Sequence, residues 1–127
     1  FGERSGLHLF LRVVGEETRL PGSLEPTLFR IIQEALNNAR KHARATSVEV
    51  IIHFQPGSVA ASVRDDGIGM DVAATEARLD AGKHLGLISM RERAELEKGR
   101  LEIRSRPGEG TEIRAIFSTR DAKQAAK

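Results

Sequence analysis

The residues of this chain best suited to chemistry fall in four short stretches. In Thr27 to Ala43 (TLFRIIQEALNNARKHA), Glu34 and Asn38 stand four apart, with Lys41 and His42 at the next turn. On a helix that spacing stacks a carboxylate, an amide and cationic groups along one stripe. The stripe is bordered by apolar neighbours, and a carboxylate and an amide at the edge of a core are costly to desolvate unless something there needs them. The amide oxygen of Asn38 is a neutral hard donor, suited to one position of an octahedral Mg²⁺ whose other ligands are phosphate oxygens and water. Glu34 can hold a metal-bound water or a nucleophile's proton, and Lys41 and His42 can reach phosphates.

The second stretch is Asp65-Asp66-Gly67-Ile68-Gly69-Met70. An aspartate at a strand end, followed by spaced glycines, lets backbone approach a flat ligand while a carboxylate accepts from an exocyclic amine. The third, Gly82 to Leu87 (GKHLGL) running into Ser89-Met90-Arg91-Glu92-Arg93, is a glycine-bearing loop entering a helix, which offers free N–H groups to phosphates. The fourth, Gly108-Glu109-Gly110-Thr111, brings a hydroxyl to a hairpin end. Taken singly, each also fits a plainer reading: a solvated helical face, an Asp-Gly turn, a flexible loop and a hairpin turn.

The elements that must carry these stretches can be read from periodicity. Leu7 to Val14 is an apolar, β-prone run between Gly6 and Gly15 and predicts a first strand. Pro21-Gly22-Ser23 is a turn, with Ser23 as candidate N-cap and Pro26 in a first helical turn. The main helix is therefore expected from about Leu24 to Ala43 or Arg44, burying Leu28, Ile31, Ile32, Ala35, Leu36 and Ala39. Ser47 to Phe54 and Val59 to Arg64 predict two strands joined at Pro56-Gly57. Asp71 to Leu79 reads as a short helix and Asp80 to His84 as a mobile loop. Gly86 to Glu97 predicts a second helix on Leu87, Met90, Ala94 and Leu96, stopped by Gly99 as a left-handed cap. Arg100 to Arg106 and Thr111 to Ser118 predict a last hairpin, and Arg120 to Lys127 a frayed tail. The sum is an α+β fold: a two-layer α/β sandwich with one mixed, mostly antiparallel sheet and helices on one face. Residues 1–119 form one domain and 120–127 a disordered tail.

Composition narrows the function classes. A chain of 127 residues suits one domain with a real core. Net charge is only +2 and all five aromatics are Phe, so a stacking platform for nucleic acid is not expected. Without cysteine there is neither disulfide nor thiolate metal site, which fits a reducing cytoplasm. No apolar run reaches the roughly 18 residues a membrane span needs, and no signal peptide is visible. The chain opens at Phe1 rather than Met, and the expectation is a piece of something larger.

In this order and spacing the four stretches together resemble the ATP-binding domain shared by gyrase, the heat-shock ATPase chaperones, mismatch-repair ATPases and sensor histidine kinases, the Bergerat-type fold. QEALNNARKHA is similar to that family's asparagine box, DDGIGM to its first glycine box and GEGTEI to its closing Gly-Thr element. HLGLISMRERA resembles the later box as sensor kinases of the nitrate-sensor subfamily carry it. The resemblance covers about residues 7 to 118. It implies ATP bound with Mg²⁺ between the main helix and a short lid, in one pocket faced by Asn38 and Asp65. Asn38 would then ligate the metal, and Glu34 would orient its water or assist transfer. Asp65 would take the adenine amine, with Thr111 supporting it through water, Gly67 and Gly69 would allow close approach, and Met70 would belong to the same nucleotide site. Lys41, His42, His84, Gly86 and Leu87 would contact or cover the phosphates. The lid departs from the fuller Gly-x-Gly-x-Gly of other kinase subfamilies, having His84 and Gly86, and no aromatic box precedes it.

The resemblance further implies transfer of the γ-phosphoryl to a histidine on a separate helical dimerisation and phosphoacceptor domain, with a response regulator downstream. His8, His42, His53 and His84 are each poorly placed as acceptors, since none lies on an upstream amphipathic helix with an acidic neighbour. A monomeric fragment of a homodimeric parent follows, cytoplasmic and itself without membrane contact, although the parent can be membrane-anchored. Two other readings stand beside this one: a free-standing serine kinase of the anti-sigma-factor type, and a nucleotide-gated interaction module without phosphotransfer.

Overall fold

The computed structural model describes residues 8–41, 44–69 and 85–119. Seven elements follow in chain order: β1 (His8–Val14), α1 (Leu24–Lys41), β2 (Ser47–Gln55), β3 (Ser58–Asp65), α2 (Leu85–Leu96), β4 (Arg100–Ser105) and β5 (Thr111–Ser118). The strands form one sheet in the order β1-β2-β3-β5-β4. Only β1 and β2 run parallel, joined by the crossover helix α1 that such a pair requires. The other three pairings are antiparallel. This is the expected α+β sandwich, with α1 and α2 packed on one face of a mixed sheet.

Register explains which side chains meet the helices. Val50, Val63, Ile113 and Ile103 lie on one rung, and Ile52, Ala61, Ala115 and Leu101 on the next. Because successive side chains alternate faces, these rows point together at the helices. They meet Leu24, Leu28, Ile31, Ala35 and Ala39 of α1, and Leu87, Met90 and Ala94 of α2, to form the core. Ile32 and Leu36 pack at its margin. The other face of the sheet carries Glu49, Arg64, Glu112 and Arg104 side by side on one rung. That alternation of sign suits a solvated face, and Arg64 and Glu112 are in contact at 2.8 Å. Among the described residues no helix is long and apolar enough to cross a membrane.

Three local expectations are corrected. The helix does start at Leu24, but the Ser23 hydroxyl donates to the Glu97 carboxylate instead of capping its own helix, tying the start of α1 to the end of α2. Leu96 is 82% exposed, because nine residues from Leu87 carry it to the opposite side of the helix. The left-handed residue ending α2 is Lys98 (φ 61°), not Gly99. The N–H of Gly99 reaches the Ala94 carbonyl and that of Lys98 the Glu95 carbonyl, a Schellman pair shifted one residue ahead of the glycine. The described part of α1 runs to Lys41, residues 42 and 43 lie outside the described residues, and Arg44 takes a left-handed φ of 51° beyond the helix. Strand β1 occurs where expected, yet its residues from His8 to Val13 are exposed. It is the sheet's edge, and Leu11 is 67% exposed. The proposed short helix at 71–79 and loop at 80–84 lie outside the described residues.

Candidate functional site

The site is built where β3 ends and β5 begins. Asp65 pairs with Thr111 across these strands, and Thr111 pairs with Ser105 at the end of β4. Val63 and Ile113, two residues inward, face the helices, so Asp65, Thr111 and Ser105 share that face on the sheet's last rung. Thr111 is the one buried polar residue among those described, 6% exposed.

The two adjacent aspartates have opposite environments. Oδ1 of Asp65 accepts the N–H of Gly67 at 2.8 Å, and the Thr111 N–H donates to the same carboxylate. Burial pushes its pKa above the ordinary carboxylate value, the two N–H bonds oppose that rise, and the Asp66 charge adds to it. Asp66 points away to the start of β2. Its Oδ1 accepts the N–H groups of Thr46 and Ser47 at 2.8 and 2.9 Å, and its Oδ2 accepts their hydroxyls at 2.6 and 3.0 Å. Those bonds, led by the Thr46 hydroxyl, hold it well below the usual carboxylate range. Asp66 is thus consumed as a structural clamp, which leaves Asp65 as the carboxylate with acceptor capacity to offer a ligand.

Two glycine-bearing segments interlock around Asp65. The N–H of Gly108 donates to the Ile68 carbonyl. Gly69 (φ 70°) lies so close to the β4–β5 hairpin that an added Cβ would stand 2.0 Å from the Arg106 carbonyl oxygen. At Gly110 (φ 75°) an added Cβ would stand 2.2 Å from the carbonyl oxygen of Asp65 itself. The sequence suggests that the glycines after Asp65 let backbone approach a ligand; for Gly69 the structure supplies another reason, the approach of a second loop.

The described residues bring Asp65, Gly67, Gly69 and Thr111 together. On α1, Glu34 and Asn38 are half-buried and Lys41 is exposed, so the polar stripe does run along the margin of the core. Glu34 lines a cleft of about 510 Å³ between the helices, with Ser89 and Arg93 of α2 opposite. Asp65, Ser105 and Thr111 line a separate cavity of about 610 Å³, and Asn38 lines neither. Gly86 lies in the first turn of α2, and Leu87 turns its side chain into the core, so only its backbone is left for a phosphate. His42, Met70 and His84 lie outside the described residues. Also among the described residues, no three His, Cys, Asp or Glu side chains converge on a metal position. The half-buried side-chain oxygens of Glu34 and Asn38, one turn apart on α1, are donors that suit a Mg²⁺ held mostly by phosphates and water.

Sequence reasoning missed Ser105. Its Oγ donates to the Gly110 carbonyl at 2.7 Å and lies 2.8 Å from Oγ1 of Thr111. Counting back from a four-residue turn at Pro107–Gly110 sets Arg106 opposite Thr111; the observed pairing of Ser105 with Thr111 comes from a five-residue loop, Arg106 to Gly110, and that one-residue shift puts Ser105 on the site's face.

Comparison with known proteins agrees with this architecture. Residues 23–121 match the family model of histidine kinase-, DNA gyrase B- and HSP90-like ATPases. The chain is 39% identical over 113 residues to the signal transduction histidine-protein kinase/phosphatase DegS of Brevibacillus brevis, covering 89% of this chain and 28% of that protein. It is 31% identical over 123 residues to the sensor histidine kinase LnrJ of Bacillus subtilis strain 168, covering 97% of this chain and 29% of that protein. The chain thus spans under a third of the length of these relatives. In three dimensions it is similar to the histidine kinase domain of the blue-light activated histidine kinase from Erythrobacter litoralis EL346. That likeness has a TM-score of 0.73 at 18% identity and covers 98% of this chain and 61% of the other. With more than three quarters of its length inside the family model, the chain belongs to the histidine kinase-, gyrase B- and HSP90-like ATPases, as an ATPase catalytic domain of the two-component sensor histidine kinase type.

Proposed function

We propose that this domain binds Mg-ATP and donates the γ-phosphoryl to a histidine on a separate helical dimerisation and phosphoacceptor domain, within a nitrate-sensor-like kinase. The observation that supports the reading best is the Asp65 carboxylate, half-buried and fixed by two backbone N–H groups beside the buried Thr111 hydroxyl. A desolvated acceptor held in that way suits the exocyclic amine of adenine. Asn38 would hold the metal that accompanies the triphosphate, with Glu34 orienting a water on it, and the metal's chemistry when bound is to spread the charge of the phosphates. Glu34 would orient the incoming nucleophile, Lys41 and His42 would pair with phosphate oxygens, and the backbone of Gly86 and Leu87 would offer N–H groups at the start of α2. Catalysis of this kind rests on positioning and electrostatics. Residues 1–119 form the catalytic unit and 120–127 a tail; the parent is a cytoplasmic-side homodimer that signals to a response regulator.

The experiment is a titration of the chain with a fluorescent ATP analogue, with and without Mg²⁺, on wild type and Asp65→Ala. Losing a charge-assisted bond from a buried acceptor should weaken binding on the order of tenfold to a hundredfold. Wild-type affinity in a folded Asp65→Ala variant would count against the adenine role. Phosphate appearing on a supplied helical acceptor domain supports the kinase reading, and ATP binding with no transfer to it favours the interaction module.

A further inference from the structure

We propose that Ser105 is a positioning residue that fixes the Thr111 hydroxyl as a hydrogen-bond acceptor, and thereby makes the site select a 6-amino purine over a 6-oxo purine. The inference rests on the ATP reading above. It follows from counting protons. A hydroxyl has one proton to give, and a carbonyl can only accept. Ser105 lies 2.7 Å from the Gly110 carbonyl oxygen, so its proton goes there. The 2.8 Å contact between Ser105 Oγ and Thr111 Oγ1 must then be made with the proton of Thr111. Thr111 has given that proton away along the sheet, and it presents only lone pairs toward Asp65, its neighbour on the same rung.

The rung therefore displays two acceptors side by side, a carboxylate and a proton-spent hydroxyl. An exocyclic amine carries two N–H groups and satisfies such a pair directly or through one bridging water. A 6-oxo group brings lone pairs against lone pairs at both positions. Without the Ser105 hydroxyl, Thr111 is free to rotate and donate to that oxo group, so discrimination falls even though Thr111 is untouched. Ser105 never needs to touch the base. Its own geometry is set by the β4–β5 register, which pairs it with Thr111, and by the hairpin that returns the Gly110 carbonyl to it.

The test measures affinities of the full chain for ATP and for inosine triphosphate, by competition against a fluorescent ATP analogue. Wild type should prefer ATP, and Ser105→Ala should narrow that preference on the order of tenfold, mainly by tighter binding of the inosine nucleotide. Ser105→Thr keeps the hydroxyl and should restore the wild-type ratio, which a general loss of packing would not do. A cycle guards against misfolding of the alanine variant: on a Thr111→Val background, adding Ser105→Ala or Ser105→Thr should leave the ratio where Thr111→Val alone puts it. An unchanged ratio in folded Ser105→Ala, failure of Ser105→Thr to rescue, or a further shift on the Thr111→Val background would each overturn the inference while leaving the ATP reading intact. Absence of ATP binding by wild type would instead overturn the ATP reading, and the inference with it.

Discussion

Gly108 and Gly110 sit in one hairpin with nearly the same left-handed backbone, φ 82° and 75°, yet in different surroundings. An added Cβ at Gly108 meets nothing within 4 Å, whereas one at Gly110 meets the Asp65 carbonyl oxygen at 2.2 Å and its carbon at 3.2 Å. Gly108→Ala should therefore cost only the left-handed backbone term, about 1–2 kcal/mol. Gly110→Ala carries the same term plus displacement of a backbone oxygen by about 1 Å to reach ordinary contact distance, comparable with overpacking a core at about 1–3 kcal/mol. The expected total is about 2–5 kcal/mol, and the gap between the two variants isolates the close approach. Urea denaturation with an unchanged m-value would measure it. Because the displaced oxygen belongs to Asp65, Gly110→Ala should also weaken ATP binding, and Gly108→Ala should leave it near wild type. Equal destabilisation by the two substitutions, or an ATP affinity indifferent to Gly110→Ala, would refute the packing argument.

The paired aspartates give linkage effects of opposite sign. Asp66 has a depressed pKa in the folded protein, so its stabilisation is present above the unfolded value of 3.8 and is lost as pH falls through the folded value; the deficit of Asp66→Asn should be full at pH 7 and close below about pH 4 in urea melts. Asp65 has a raised pKa, so its favourable protonated state is lost as pH rises through the folded value; Asp65→Asn should gain stability relative to wild type toward neutral pH while binding ATP less well. Lys98→Gly should stabilise the chain by about 1 kcal/mol in the same assay, by relieving a left-handed lysine at the end of α2. Asn38→Ala should weaken Mg-ATP far more than metal-free ATP in a fluorescence titration. Glu34→Gln should spare binding and slow transfer to a supplied helical acceptor domain by about 10²–10⁴-fold in a radiolabel assay.

Much of the fold was legible because its signals are local. Leu28, Ile31, Ala35 and Ala39 recur at helical spacing and are all buried, and Pro56-Gly57 sits at the turn between β2 and β3. What could not be read depends on partners distant in sequence. Leu9, Leu11 and Val13 alternate as a half-buried strand should, but burial requires something above the strand, and an edge position leaves all three exposed. The roles of Asp65 and Asp66 are indistinguishable in the string DDG; they separate only once β3 ends beside Thr46 and Ser47. The Schellman end of α2 shows a different limit. Glycine tolerates a left-handed backbone, which makes Gly99 the expected left-handed residue, whereas its smallness serves β5, where an added Cβ would meet the Phe117 ring at 2.3 Å.

The same reasoning changes how the two glycine motifs are understood. DDGIG and GEGT lie far apart in sequence and look like independent contacts with a nucleotide. In space Gly69 makes room for the Arg106 carbonyl, Gly110 makes room for the Asp65 carbonyl, and Gly108 donates to Ile68. Each motif is therefore small for the sake of the other. An aspartate meant to receive an amine must be partly desolvated, which disfavours its charge, and yet must not move. Backbone packed against backbone meets both demands, since it excludes water without adding a side chain that could compete for the carboxylate. The N–H groups of Gly67 and Thr111 then compensate part of the desolvation, and the Asp66 clamp on β2 anchors the loop from its other side. On this view the recognition of a base begins with the fit between two loops, and a substitution in either should disturb Asp65 before it disturbs any direct contact with a ligand.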